Sequence, residues 1–247
     1  MRKVLITGGT GLIGSQLVIE MIKDNHFVMF TTRSMKTGEE LISKHGLNRE
    51  KCLPIELDFS EEGALDKLKN QLVELPDTII QNARSTETLS IDQKGRIGNE
   101  NFQKEFFNGI IFPYNLINFF LDEGALLKDV IFISSIYGSV APNPSLYKDF
   151  EKQSPINYGV VKAAQIHLTK ELAVRLAPNN TRVNSISYGG VEGRVDESFK
   201  ERYSKLTPNG RMLNHKDLYP PIQYFLNNPT LNVTGENLKI DGGWTIW

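Results

Sequence analysis

Tyr158 and Lys162 stand four residues apart in the run Tyr158-Gly159-Val160-Val161-Lys162. On a helix that spacing puts the phenol and the ammonium on one face. A cation beside a phenol favours its ionised form, so the pair suits moving a proton near neutral pH. Near the N-terminus, Thr7-Gly8-Gly9-Thr10-Gly11-Leu12-Ile13-Gly14 follows the apolar run Val4-Leu5-Ile6 and leads into helical spacing over 12–23. A strand, a glycine turn and a helix make a phosphate cradle. The first glycine allows the tight turn, the second lets the backbone approach a pyrophosphate, and the third lets the helix pack close on the strand. The helix N-terminus adds free N–H groups and the positive end of its dipole. Gly8, Thr10, Gly11, Leu12, Ile13 and Gly14 are therefore candidates for holding a dinucleotide. Together the two motifs point to hydride exchange with a nicotinamide, Tyr158 handling the proton. The next strand ends Phe30-Thr31-Thr32-Arg33-Ser34, with no carboxylate for a ribose 2′-hydroxyl. Arg33 there offers a partner for a 2′-phosphate, so the expected cofactor is NADP, with NAD as the alternative.

Positioning these groups requires a scaffold that alternates strands and helices. Short apolar runs at 3–7, 28–31, 52–57, 78–81, 130–134, 182–187 and 237–240 read as strands. Amphipathic segments at 12–23, 63–72, 101–122, 157–175, 199–205 and 220–227 read as helices between them. This is the pattern of βαβ units. The expectation is an α/β fold: one Rossmann-type doubly wound domain over residues 1–247, with about seven parallel strands flanked by helices. Residues 36–51 read as a solvated helix and loop. Two long irregular stretches remain, 141–156 and 189–214. Both leave strand ends on the side of the motifs, which suits a lid. The second carries Arg194, Lys200, Arg202, Lys205 and Arg211, so the pair is expected to enclose a polar sugar, with or without a phosphate, the alternative being that these charges merely solvate the loop.

Bulk properties narrow the class. With 247 residues and 40% hydrophobic content the chain can build a real core, and its net charge of −1 gives no sign of nucleic-acid or anionic-membrane binding. The single cysteine, Cys52, excludes an intrachain disulfide and is expected to be structural. His26, His45, His167 and His215 are scattered without ligand spacing, so no metal site is expected. The apolar run after Met1-Arg2-Lys3 is too short for a signal peptide, and no stretch is long enough to span a membrane. A soluble, cytoplasmic protein is expected.

Other short runs recur in a telling order. Leu57-Asp58 follows the third strand and Gln81-Asn82-Ala83 the fourth. Asn108 lies in a long helix, and Ile131-Phe132-Ile133-Ser134-Ser135 ends a strand before the Tyr-Lys helix. Arg182-Val183-Asn184, Thr234-Gly235 and Asp241-Gly242-Gly243 close the series. With the cradle and Tyr158-x-x-x-Lys162, this set resembles the short-chain dehydrogenase/reductase family over essentially the whole chain. The resemblance implies a tetrad of Asn108, Ser135, Tyr158 and Lys162. Tyr158 would be the general acid/base, Lys162 would hold the nicotinamide ribose, Ser135 would polarise the substrate oxygen, and Asn108 would support a relay water. It also implies cofactor contacts by Phe59, by Asp58 at the adenine, by Asn82 and Ala83 on the adenosine ribose side, and by Val191 at the nicotinamide amide. It implies a homodimer or homotetramer.

Several positions depart from the family pattern. The glycine spacing is that of the longer, extended members. Arg84 stands where glycine is usual, Tyr188 where proline is, and Gly193 where a threonine is common. Ser135 and Tyr158 are farther apart than usual, which leaves Ser134, Ser139 and Ser145 as competitors for the serine role. The chain is also similar to a narrower bacterial group linked to flagellin modification and surface-polysaccharide sugars. The shared features are Ser134-Ser135-Ile136-Tyr137-Gly138 with a long insert after it, Gly189-Gly190-Val191, Arg202-Tyr203 and the ending Asp241-Gly242-Gly243-Trp244. The expected function is interconversion of a carbonyl and an alcohol on a sugar or sugar phosphate in surface-glycan biosynthesis. The alternatives are a nucleotide-sugar epimerase or dehydratase, and a non-catalytic NADP sensor.

Overall fold

The computed structural model describes residues 1–228 and 230–246. Seven strands form one sheet: β1 (Lys3–Ile6), β2 (Phe27–Thr32), β3 (Cys52–Glu56), β4 (Thr78–Gln81), β5 (Asp129–Ser135), β6 (Arg182–Tyr188) and β7 (Asn237–Ile240). Their order is β3-β2-β1-β4-β5-β6-β7, and every neighbouring pair is parallel. The order reverses direction between β1 and β4, which opens a crevice at the C-terminal strand ends.

The main helices are α1 (Leu12–Lys23), α2 (Met35–His45), α3 (Ala64–Lys69), α4 (Asn99–Phe106), α5 (Phe112–Asp122), α6 (Phe150–Gln153), α7 (Ile156–Leu176), α8 (Glu197–Leu206) and α9 (Pro220–Leu226). Strand residues alternate between two apolar layers. On one face Val4, Ile6, Val28, Phe30 and Ile131 pack with Leu17, Met21, Ile222 and Phe225. On the other Leu5, Met29, Ile79, Val130 and Phe132 pack with Leu68, Leu116, Phe120 and Leu172. Burial on both faces explains why the strands read as unbroken apolar runs.

The expected strands appear within one or two positions of their sequence bounds. The stretch 36–51 contributes α2, and 189–214 contains α8. The expected helix over 101–122 is divided: a π-helical turn at Phe107–Ile111 separates α4 from α5. The motif pair Arg182-Val183-Asn184 and Thr234-Gly235 ties β6 to the approach of β7. Asn184 donates to Val233 O (2.9 Å) and accepts from Glu236 N (3.1 Å), while Gly235 N, at φ +77°, donates to Val183 O (2.7 Å). At the N-terminal strand ends, opposite the crevice, buried Asp129 pairs with Arg2 (3.0 Å) and Arg182 (2.7 Å).

A third cluster lies outside the two sheet layers. Leu146 of the insert, Tyr203 and Met212 of the later loop, and Trp244 of the tail pack with Ile136. It joins the insert to the loop after β6 directly above the crevice.

Candidate active site

The cradle is shaped by contacts that only glycine permits. Gly8 has φ +68°, and a Cβ there would meet Ala83 Cα at 2.8 Å. A Cβ on Gly14 would meet Gly8 O at 2.2 Å. Gly11 is the extended N-cap of α1, and no side chain caps the helix. The first-turn N–H groups of α1 therefore have no intrahelical acceptor and suit an anion. Thr31 Oγ1 accepts from Gly8 N (2.9 Å). The Asn82 amide donates to Thr7 O and Gly8 O, both at 3.0 Å. Thr7 Oγ1 in turn accepts from Asn82 N (2.9 Å) and Ala83 N (3.0 Å). Asn82 thus spends its amide on the shape of the turn itself, a task the sequence did not suggest.

From the cradle an open cleft of about 890 Å³ runs along the strand ends to the start of α7. Every site residue expected from the sequence lines it except Gly14, which packs beneath. At the far end from α7, Phe59 stacks on Phe112 with ring centres 3.9 Å apart. Asp58 accepts from Ser60 N (2.9 Å) and Ser60 Oγ (2.6 Å), and these bonds hold its carboxyl below the usual range. Arg33, at the end of β2, reaches Glu87 Oε1 at 3.0 Å, with both side chains exposed. The glycine cradle, the uncapped helix and this arginine fit a dinucleotide's phosphates.

At the other end of the cleft stand the chemical groups. Ser135 closes β5, and its Oγ accepts from Tyr137 N (3.2 Å), leaving the hydroxyl proton to give. Its competitors are placed differently. Ser134 donates to Lys162 O (3.1 Å), while Ser139 and Ser145 are exposed and do not line the cleft.

Lys162 is buried in the middle of α7's contact with β5. A Cβ on Gly138 would meet the Lys162 carbonyl at 2.7 Å, so this glycine sets the close approach. The Lys162 ammonium donates to Ile133 O (2.7 Å) and Gln165 Oε1 (2.9 Å). Gln165 in turn donates to Gly109 O (2.9 Å), inside the π-helical turn that carries Asn108. Burial, and then the nearby charge of Arg84, push the Lys162 amine down to about 7, against the opposing pull of Glu105. Its Nζ lies 5.8 Å from the Tyr158 ring centre.

Tyr137 meets Tyr158 edge-on, 6.4 Å between centres. The Tyr137 hydroxyl pairs with that of Tyr147 from the insert (2.7 Å). Burial pushes both of these phenols up, so they remain protonated hydrogen-bonding groups. The loop after β6 closes over them: Tyr203 Oη accepts from Gly190 N (2.7 Å), and its ring stacks on Trp244 at 4.5 Å.

The chain is similar to known proteins in sequence and in fold. A family model described as enoyl-(acyl carrier protein) reductase matches residues 138–245. The crystal structure of a short-chain dehydrogenase from Leptospira borgpetersenii, with bound NAD+, is 28% identical, covers 98% of this chain and 92% of its own, and superposes with a TM-score of 0.81. These similarities support membership of the short-chain dehydrogenase/reductase superfamily. They also support NAD(P)-dependent oxidoreductase activity on small carbonyl or alcohol substrates. Sorbose reductase of Schizosaccharomyces pombe is 27% identical over 98% of this chain and 95% of its own. A protein of Campylobacter coli, post-translational flagellin modification protein A, is 34% identical over 118 residues, which span 48% of this chain and 46% of that protein.

Sequence reasoning missed several residues that shape the site. Gln165 lies one helical turn beyond Lys162, and that spacing is the signal that would have found it. Thr7 stands inside the cradle motif but acts on the β4 end, a contact only the strand order reveals. The charged lid is placed differently from expectation. Arg202 donates to Leu146 O (2.7 Å), Arg211 pairs with Asp217 (2.6 Å) and Lys200 with Glu197 (3.2 Å). Only Arg202 joins the two loops, the other two pair locally, and of the five lid cations only Arg194 lines the cleft.

Proposed function

We propose that this protein is a reductase or dehydrogenase of a hydroxylated substrate, a sugar derivative, using NADP in preference to NAD. The observation that carries the reading is one continuous cleft with the phosphate cradle at one end and Tyr158 beside buried Lys162 at the other. When bound, the dinucleotide supplies or accepts the hydride.

The chain's own residues do the rest. Tyr158 gives a proton to the substrate oxygen in reduction and takes it back in oxidation. Ser135 donates a hydrogen bond to the same oxygen. Lys162, held by Ile133 O and Gln165, places its charge next to the phenol and toward the ribose. Asn108, in the π-helical turn, supports a water at the inner end of the relay. Asp58, Phe59, Ala83 and Val191 frame the dinucleotide between them. Gly8, Thr10, Gly11, Leu12 and Ile13 bind its phosphates, and Arg33 reads a 2′-phosphate.

The sugar reading rests on the hydroxyl-rich wall of Tyr137 and Tyr147 and on the likeness to a sorbose reductase. The partial likeness to a flagellin modification protein supports a place in surface-glycan biosynthesis. We read residues 1–247 as one domain that assembles as a homodimer or homotetramer. Ile111 and Tyr114 near α5, and Ile156 and Val160 on α7, remain exposed for such contacts.

The test is turnover of a sugar and sugar-phosphate panel with each cofactor. Tyr158→Phe should lower kcat by about 10²- to 10⁴-fold while leaving cofactor binding intact. Near-wild-type turnover by that variant would overturn the proposed mechanism.

A further inference from the structure

The glycine position after Asn82-Ala83 holds Arg84, and the chain fixes where it stands. Ala83 is pressed against Gly8, so Arg84 leaves β4 at the floor of the cleft. Its guanidinium lies over the Tyr158 ring, 4.8 Å from the centre. Among the described residues no carboxylate lies within ion-pair range of it. By contrast Arg33 has Glu87, Arg211 has Asp217, and Arg2 and Arg182 share Asp129. The acids lining the cleft are Asp58 and Glu87, both toward the expected adenine end and both already bonded. Around Tyr158 the lining instead presents Arg84 and Lys162. A cleft whose cations stand at one end and whose lining acids stand at the other concentrates anions at the cationic end. A guanidinium held over an aromatic ring and, among the described residues, without a protein hydrogen-bond acceptor keeps its N–H groups free to fork an oxyanion.

We propose that Arg84 anchors an acidic group of the substrate, a carboxylate or a phosphate, held close to the reacting carbon. This rests on the reading of Tyr158 as the acid/base, and it makes the substrate an acidic one with its charge near the carbonyl rather than at the far end of the molecule. It also moves anion recognition from the lid, where the sequence placed it, to the end of β4.

The experiment uses the full chain loaded with reduced cofactor, which occupies the cradle and Arg33 and so removes them as anion sites. Quenching of the cofactor's fluorescence is followed during titration with malonate, with inorganic phosphate and with neutral malonamide. Saturable binding of malonate, phosphate or both is expected, and whichever binds names the acid. Malonamide should not bind. Arg84→Gln should weaken oxyanion binding at least tenfold, and Arg84→Lys should restore part of it. No saturable oxyanion binding by the wild type, or equal binding by Arg84→Gln, overturns the inference while leaving the oxidoreductase reading in place. Failure of the reduced cofactor itself to bind overturns both.

Discussion

Lys162 is an amine kept in a nearly dry place, which has a thermodynamic signature. Its folded-state value of about 7 lies below the ordinary 10.5, so folding disfavours its protonated form. The destabilisation is absent above the ordinary value, grows as pH falls, and is complete below about 7. Lys162→Met should therefore raise Tm relative to wild type, and the gain should be larger near about pH 6 than near about pH 10. Equal gains at both pH values would show that the amine is not penalised by burial. Arg33 invites a paired test. Its bridge to Glu87 is exposed, and such bridges contribute about 0–1 kcal/mol, so a 2′-phosphate can displace it. Glu87→Gln should tighten NADPH binding by freeing the guanidinium, and Arg33→Ala should weaken it, with NADH little affected in either variant. Parallel changes for NADPH and NADH would remove Arg33 as the discriminator.

At the scale of elements, α1 meets its strand through two glycines that do different jobs. Gly14 is a packing glycine, because its Cβ would overlap Gly8 O. Gly14→Ala should cost about 1–3 kcal/mol of stability, read by denaturant unfolding, as well as cofactor affinity. Gly11 has only Gly8 O at contact distance, 3.4 Å. Gly11→Ala should leave Tm nearly unchanged yet weaken cofactor binding, because its methyl group would face the phosphates. Elements were also what the sequence disclosed best. Buried strands such as Val4-Leu5-Ile6 announce themselves by composition, and the glycines mark the helix start. The division of 101–122 was not legible, because a π-helical turn has the composition of the helix around it. There the decisive feature is tertiary: Gly109 has no room for a side chain, since a Cβ would sit 2.3 Å from Val161. The same limit applies to Gln165 and Arg84. Their types were visible, but the groups they face come from distant strands and turns.

Across the whole molecule, chemistry and anchorage occupy opposite ends of the sheet. The cleft lies at the C-terminal strand ends, while Asp129, 1% exposed, is clasped by Arg2 and Arg182 at the other end. Removing one partner of a buried ion network leaves the other charges uncompensated. Asp129→Ala should cost about 3–5 kcal/mol of stability. Below its lowered Tm the variant should still bind cofactor like wild type. A loss of binding in the folded variant would show that the two ends communicate. The insert and the loop after β6 form a second structural unit over the cleft, joined by Tyr147 against Phe199 and by Arg202 to Leu146. Their pairing was foreseen from where each leaves the sheet, but their charges were assigned to a ligand, when of the five Arg202 joins the two pieces and Lys200 and Arg211 pair with nearby carboxylates.

The stacking of Trp244 under Tyr203 has an optical corollary. This indole lies inside the unit that closes over the cleft, and the only other tryptophan is Trp247, outside the described residues. Indole emission overlaps the absorption of reduced nicotinamides. In a Trp247→Phe background, light absorbed at Trp244 would pass to the reduced cofactor to a degree set by how far the covering loops stand from it. The chain thus carries a native donor for energy transfer in the unit that covers its own cleft, and any change in the height of that unit above the cofactor becomes readable in real time without an attached dye.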